Sequence, residues 1–186
     1  MEKYKERLLE IIAKKSFQHN KDKIFKLASG KMSNYYINCK TTTLDPEAMM
    51  LIGKIFYEAI KHLNVKAIGG LTHGADPIAI ATATISGIEN NCIKAFIIRK
   101  EAKGHGLKKI IEGDIHHGDR VVIVDDVITT GQSTIDAIDK AKAEGLNVVK
   151  VIVLVDRQEG GRENIEKHGV PVDAVFSIDD IMSQIQ

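Results

Sequence analysis

From its second third onward the chain alternates between short, unbroken aliphatic runs and longer segments whose apolar residues recur every three or four positions. The aliphatic runs are VKAIGG (65–70), KAFIIRK (94–100), RVVIVDDV (120–127), VVKVIVLVDR (148–157) and VDAVFSI (172–178). Each is too short for a buried helix and is bounded by Gly, Asp or Lys, so each predicts a strand. Between them, DPIAIATATISG (76–87), STIDAIDKAKAEG (133–145) and GRENIEKHG (161–169) read as helices, the second ended by Gly145. Continuous rather than alternating hydrophobicity implies strands covered on both faces. The fold class that follows is α/β, a mainly parallel central sheet flanked by helices.

The first third follows a different pattern. MEKYKERLLEIIAKK is amphipathic, with Tyr4, Leu8, Ile11 and Ile12 on one helical face, and acidic residues interrupt it too early for a secretory signal. FKLASGKMSNYYINCK (25–40) predicts an irregular or β-rich piece. A helix then opens at Asp45-Pro46-Glu47, where Asp45 can cap and Pro46 suits the first turn. Met49, Ile52, Ile55, Phe56 and Ile60 supply its apolar stripe.

No repeat or linker divides the 186 residues, so a single domain over 1–186 is expected. Twenty-six basic against 25 acidic side chains leave a formal charge of +1, which gives no reason to expect nucleic acid as a partner. No apolar run approaches a membrane span, so no membrane partner is expected either. Cys39 and Cys92 fit no metal or redox pattern and read as reduced thiols of a cytoplasmic protein. His116 and His117 lack a third ligand nearby in sequence.

The chemistry concentrates at strand ends, where ligands bind in parallel sheets. VVIVDDVITTGQST (121–134) places Asp125 and Asp126 directly before a Thr/Gly/Ser loop that opens a helix. Gly131 permits a tight turn there. The N–H groups from Thr129 to Ser133, with the hydroxyls of Thr129, Thr130, Ser133 and Thr134, make an anion cradle suited to a phosphate. The two acids repel that phosphate but accept hydrogen bonds from neutral hydroxyls, or face a metal. A ribose 5-phosphate meets both demands. Neither GxGxxG nor GxxxxGK[ST] occurs, which excludes the common dinucleotide and P-loop sites.

This run resembles the 5-phosphoribosyl 1-diphosphate (PRPP) signature of type I phosphoribosyltransferases. FKLASGKMSNYY, GGLTHGADPIA, RKEAKGHGLKKIIEG and VDRQEGG resemble, in order, segments of the orotate phosphoribosyltransferase family, and together they span about residues 25–161. The resemblance implies the type I phosphoribosyltransferase fold with a small hood from about 1–45 and the C-terminal part. It implies Mg²⁺-dependent transfer from PRPP to orotate in pyrimidine biosynthesis, the ion held mainly by diphosphate rather than by direct protein ligands. No decarboxylase is expected in this chain.

The resemblance further implies that PRPP meets Arg99, Lys100, Lys103, His105, Asp125, Asp126, Val127, Ile128, Thr129, Thr130, Gly131, Gln132 and Ser133. Of these, Lys103, His105, Asp125 and Asp126 take the catalytic roles. Orotate is expected at Thr129, Arg157 and Lys26. A homodimer sharing part of the basic loop is implied as well. From the residues themselves, a guanidinium at 157 suits a carboxylate in two parallel hydrogen bonds. The loop at 71–76 lacks the lysine that some members carry there, and His73 stands near that point. Three rivals stand beside this reading: a transferase for a purine base, a PRPP-sensing regulator that binds RNA or DNA, and a PRPP-binding protein with no catalysis, which Lys103 and His105 argue against.

Overall fold

The computed structural model describes residues 1–19, 25–26, 32–33, 35–101 and 109–185. Helix α1 (Glu2–Lys15) buries Leu8, Ile11 and Ile12 as its periodicity predicts. Tyr4 departs from that face: it is 37% exposed and its ring receives the Lys54 ammonium at 4.8 Å. Strands β1 (Phe17–His19), β2 (Phe25–Lys26), β3 (Met32–Ser33) and β4 (Tyr35–Ile37) form two small antiparallel pairs, β1 with β4 and β2 with β3. A one-turn helix α2 (Lys40–Thr43), not anticipated from the sequence, leads into α3 (Pro46–Ile60). There Asp45 accepts the N–H groups of Glu47 and Ala48, both at 3.1 Å, and satisfies two donors the helix leaves open.

The central layer follows: β5 (Ala67–Leu71), α4 (Ala75–Ile88), β6 (Lys94–Ile98), β7 (Ile111–Glu112), β8 (Arg120–Ile128), α5 (Gln132–Ala143), β9 (Asn147–Asp156), α6 (Gly161–Lys167), β10 (Val172–Ser177) and α7 (Ile178–Ser183). The sheet order is β10-β9-β8-β5-β6-β7, parallel throughout except for β7, which runs antiparallel to β6. The short β7 lies where only a polar stretch was expected. Helix α7 also went unforeseen, although Ser177 and Asp180 close a reciprocal capping box at its start.

Two cores explain the unbroken aliphatic runs. Val122, Val124, Ile152 and Leu154 pack with α1, α3 and α7 on one face. Val121, Ile123, Val151 and Val153 pack with α5 and α6 on the other. From β5 the chain steps outward to β6, then returns to lay β8 against the opposite edge of β5 and continues to β9 and β10. The order therefore reverses between β5 and β8, and a crevice opens there at the carboxyl ends of the strands. No helix among the described residues is long and apolar enough to cross a membrane.

Ile123 is fully buried at the centre of β8. Ile123→Ala should lower the unfolding free energy by about 3 kcal/mol, read as a shift in the urea midpoint.

Candidate active site

The acid pair sits inside β8, not at its end. The strand runs on to Ile128 because β9 keeps pairing with it as far as Ile128 opposite Asp156. Successive strand residues face opposite ways. Asp125 therefore follows Ile123 toward α5, and Asp126 follows Val124 toward α2. Asp125 Oδ2 accepts the hydroxyls of Ser133 at 3.0 Å and Thr134 at 2.9 Å. This corrects one expectation: those two hydroxyls are committed to a carboxylate rather than turned toward the open loop. A carboxylate buried in a sheet needs such donors more than a solvated phosphate does.

Burial, and then the neighbouring charge of Asp126, push the Asp125 carboxyl up to about 7 against the pull of the two hydroxyls. Asp126 is also raised, mainly by burial, while the Lys40 ammonium opposes the shift. The Cys39 thiol nearby is driven upward by burial, with Asp126 adding to the effect. Lys40 carries no motif and was not singled out in the sequence.

The loop after β5 closes one side of the crevice. Gly74 lies so near the acids that a Cβ there would stand 2.7 Å from Asp126 Oδ1 and 2.9 Å from Asp125 Oδ1. Thr72 N–H donates to the Ile98 carbonyl at 2.9 Å, and its hydroxyl donates to Asp76 at 2.7 Å. The Thr72–His73 peptide is cis. The His73 side chain is 81% exposed, so it reads as solvated. Beside this loop lies a cavity of about 550 Å³ lined by Lys40, Leu44, Met49, His73, Asp76, Pro77 and Ile80.

Opposite stands the turn that the sequence suggests as a phosphate cradle. Gly131 adopts φ 80°, a left-handed conformation that Gly alone takes freely, and starts α5. Helix α6 supports it: Asn164 donates to the Thr130 carbonyl at 3.0 Å. Thr129, Thr130 and Gly131 line the turn, and the first-turn N–H groups of Gln132 and Ser133 have no acceptor within the helix. The Gln132 side chain turns back to Asp136 at 2.8 Å. Val127 and Ile128 are the last residues of β8, leading into this turn.

Arg157 follows β9, the strand beside the acid pair, with only 6% exposure. Its guanidinium lies 4.7 Å from the Tyr35 ring centroid, and Nε approaches Glu159 Oε1 at 2.8 Å. That approach is an ion pair without hydrogen-bond alignment: Nε and Nη2 are both buried and find no hydrogen-bond partner among the described residues. No Asp156–Arg157 bridge forms. Asp156 instead accepts from the Gln158 N–H at 2.8 Å and faces Arg162.

Arg99 and Lys100 emerge from β6 on the far side of β5. The Arg99 guanidinium meets Glu112 of β7, with Nη2 at 2.9 Å and Nε at 3.0 Å from Oε1. Lys140 of α5 donates to the carbonyls of both Arg99 and Lys100. Neither Glu112 nor Lys140 had a sequence signal, since they meet Arg99 from 13 and 41 positions away. Lys103 and His105 lie outside the described residues, as does the side chain of Lys26. His116 is exposed, 3.9 Å from Asp114 and from Asp119, and no cluster suited to a metal occurs among the described residues.

The reversal crevice, the paired acids and the glycine turn at the start of α5 lie together at the carboxyl ends of a parallel sheet, the arrangement of an α/β ligand-binding protein. Residues 42–182 match the family described as Phosphoribosyl transferase domain. The orotate phosphoribosyltransferase of Aquifex aeolicus is 48% identical, covering 96% of this chain and 97% of its own. That of Nostoc is 44% identical, covering 97% and 86%. The crystal structure of Mycobacterium tuberculosis orotate phosphoribosyltransferase in complex with Fe(III) dicitrate superposes with a TM-score of 0.83 at 35% identity, covering 96% and 98%. The chain belongs to the phosphoribosyltransferase family and, within it, to the orotate phosphoribosyltransferases.

The acid pair also sets a pH dependence of stability. The unfolded chain releases the Asp125 proton near the ordinary value of 3.8, whereas the folded chain holds it to about 7. Between those values the folded state binds more protons, so stability is fully present below about pH 4 and is lost as pH rises through 7. Asp125→Asn carries no such charge. Its stability relative to wild type should grow by on the order of 2 kcal/mol from pH 4.5 to 8, read from urea midpoints at both values. A difference that stays constant with pH would mean that Asp125 is ionised throughout.

Proposed function

We propose that this chain transfers the 5-phosphoribosyl group from PRPP to orotate, giving orotidine 5′-monophosphate and diphosphate in pyrimidine biosynthesis. The observation that carries the reading is Arg157, a buried guanidinium at the crevice of the acid pair with nitrogen that finds no hydrogen-bond partner among the described residues. Orotate differs from uracil by one carboxylate, and a planar fork of donors packed over the Tyr35 ring suits that group. Thr129 and Lys26 are its further contacts in this reading.

The 5-phosphate occupies the turn at Thr129, Thr130 and Gly131 and the N–H groups of Gln132 and Ser133, with Val127 and Ile128 leading into it. Asp125 and Asp126 receive the ribose 2- and 3-hydroxyls, and the ligand's donors offset the cost of the buried charges. The bond from ribose C1 to the diphosphate oxygen breaks first and its electrons leave with diphosphate. Arg99, Lys100, Lys103 and His105 stabilise the growing negative charge, more in the transition state than before it. The acid pair stands on the side where positive charge develops on the ring. Orotate N1, shedding its proton, closes the new bond at C1.

The oxygen donors of the site, carboxylates and hydroxyls, suit Mg²⁺. When bound, Mg²⁺ would be held mainly by substrate oxygens and water, with Asp125 and Asp126 as the residues facing it, and would supply neutralisation of the diphosphate charge. We read residues 1–45 with the C-terminal part as the hood over the site, and the protein as cytoplasmic. A homodimer sharing the basic loop completes the reading. The exposed apolar side chains of Leu44 and Ile80 beside the 550 Å³ cavity support a partner surface there.

Loss of the orotate ultraviolet band, only with PRPP and Mg²⁺ both present, tests the reaction. In the same assay Arg157→Lys should lower kcat/KM for orotate by roughly 10³-fold while KM for PRPP changes little. An equal loss for both substrates would remove Arg157 from base recognition. Mixing two inactive variants, Lys103→Ala and Asp125→Asn, should restore about a quarter of wild-type activity, because half of the reassorted dimers then hold one intact shared site. No recovery after verified subunit exchange would exclude a shared loop.

A further inference from the structure

Helix α5 reaches the site at two places. Its first turn forms the phosphate cradle. Two turns later, roughly 12 Å along the axis, Lys140 sends its ammonium across to β6. There Nζ donates to the carbonyl oxygens of Lys100 at 2.7 Å and Arg99 at 3.1 Å. These are the main-chain groups of the two cations that open the basic segment. The same point is tied from the other side, where Arg99 N–H donates to the Ile110 carbonyl at 2.8 Å and Glu112 holds the Arg99 guanidinium.

A free strand end would let Arg99 and Lys100 rotate about their backbone. Two charge-assisted bonds to adjacent carbonyls fix both peptide planes together, and with them the directions in which both side chains leave the chain. Lys140 is half-buried in its contact with Arg99, and its ammonium makes no other hydrogen bond among the described residues. An ammonium placed only for solubility would point outward from α5.

We infer that Lys140 is a positioning residue for the diphosphate half of the substrate, acting through the backbone of Arg99 and Lys100. The inference rests on the transferase reading above. It separates the two ends of one helix: the cradle at Gly131–Ser133 serves the 5-phosphate, and Lys140 serves the leaving group.

The test is calorimetric binding of two probes, inorganic pyrophosphate with Mg²⁺ and ribose 5-phosphate, to wild type, Lys140→Met and Lys140→Arg. Lys140→Met should weaken pyrophosphate about tenfold and leave ribose 5-phosphate within about twofold, with an unchanged Tm. Lys140→Arg, which keeps donors at the same place, should recover most of the loss. KM for PRPP should rise in Lys140→Met while KM for orotate does not. Unchanged pyrophosphate binding in Lys140→Met overturns the assignment. So does parallel weakening of both probes, which would mark Lys140 as a general support of α5. A wild-type chain that binds neither probe removes the transferase reading, and this inference with it.

Discussion

The architecture is organised around the cost of keeping two carboxylates inside a parallel sheet. Adjacent acids on β8 repel each other and lose most of their water, so each must be supported by a different layer of the fold. Asp125 is supported from α5 by two hydroxyls, and Asp126 lies on the side of α2, where the Lys40 ammonium favours its charged form. The loop after β5 can close over the pair only because position 74 has no side chain. Strand order, helix placement and loop composition at the crevice all answer to this one demand. A chain selected for stability alone would place apolar residues at 125 and 126.

Much of this was legible in the sequence, and the reason is physical. Strands covered on both faces announce themselves as unbroken aliphatic runs, and an acid pair within such a run is hard to explain by packing. The cradle was legible because Gly131 has a local conformational reason. Partnerships across the fold were not legible. The hydroxyls of Ser133 and Thr134 carry no mark saying whether they face a phosphate or Asp125. Arg99 and Glu112 become neighbours only once β7 folds back on β6, and a two-residue strand has no periodicity to detect. Tyr4 shares the helical angle of Leu8, yet it lies near the end of α1 and finds the Lys54 ammonium instead of the core.

The buried Arg157 reverses an ordinary expectation for a charged residue at a strand end, which is a solvated bridge to its neighbour. Its environment is half satisfied: Tyr35 covers one face and Glu159 offsets the charge, yet nitrogen has no hydrogen-bond partner among the described residues. A buried polar group left without a partner is expensive, and such groups are tolerated where a ligand completes them.

The acid pair and the buried guanidinium belong to different parts of the chain. The acids are set by the interior of β8, a strand paired to β5 on one side and β9 on the other. Arg157 and Tyr35 sit on a strand end and a small antiparallel pair that β8 does not include. In the proposed reading, a change of base preference falls on those two positions and leaves the acid pair untouched. A sheet of this design then changes its acceptor while keeping hold of its donor.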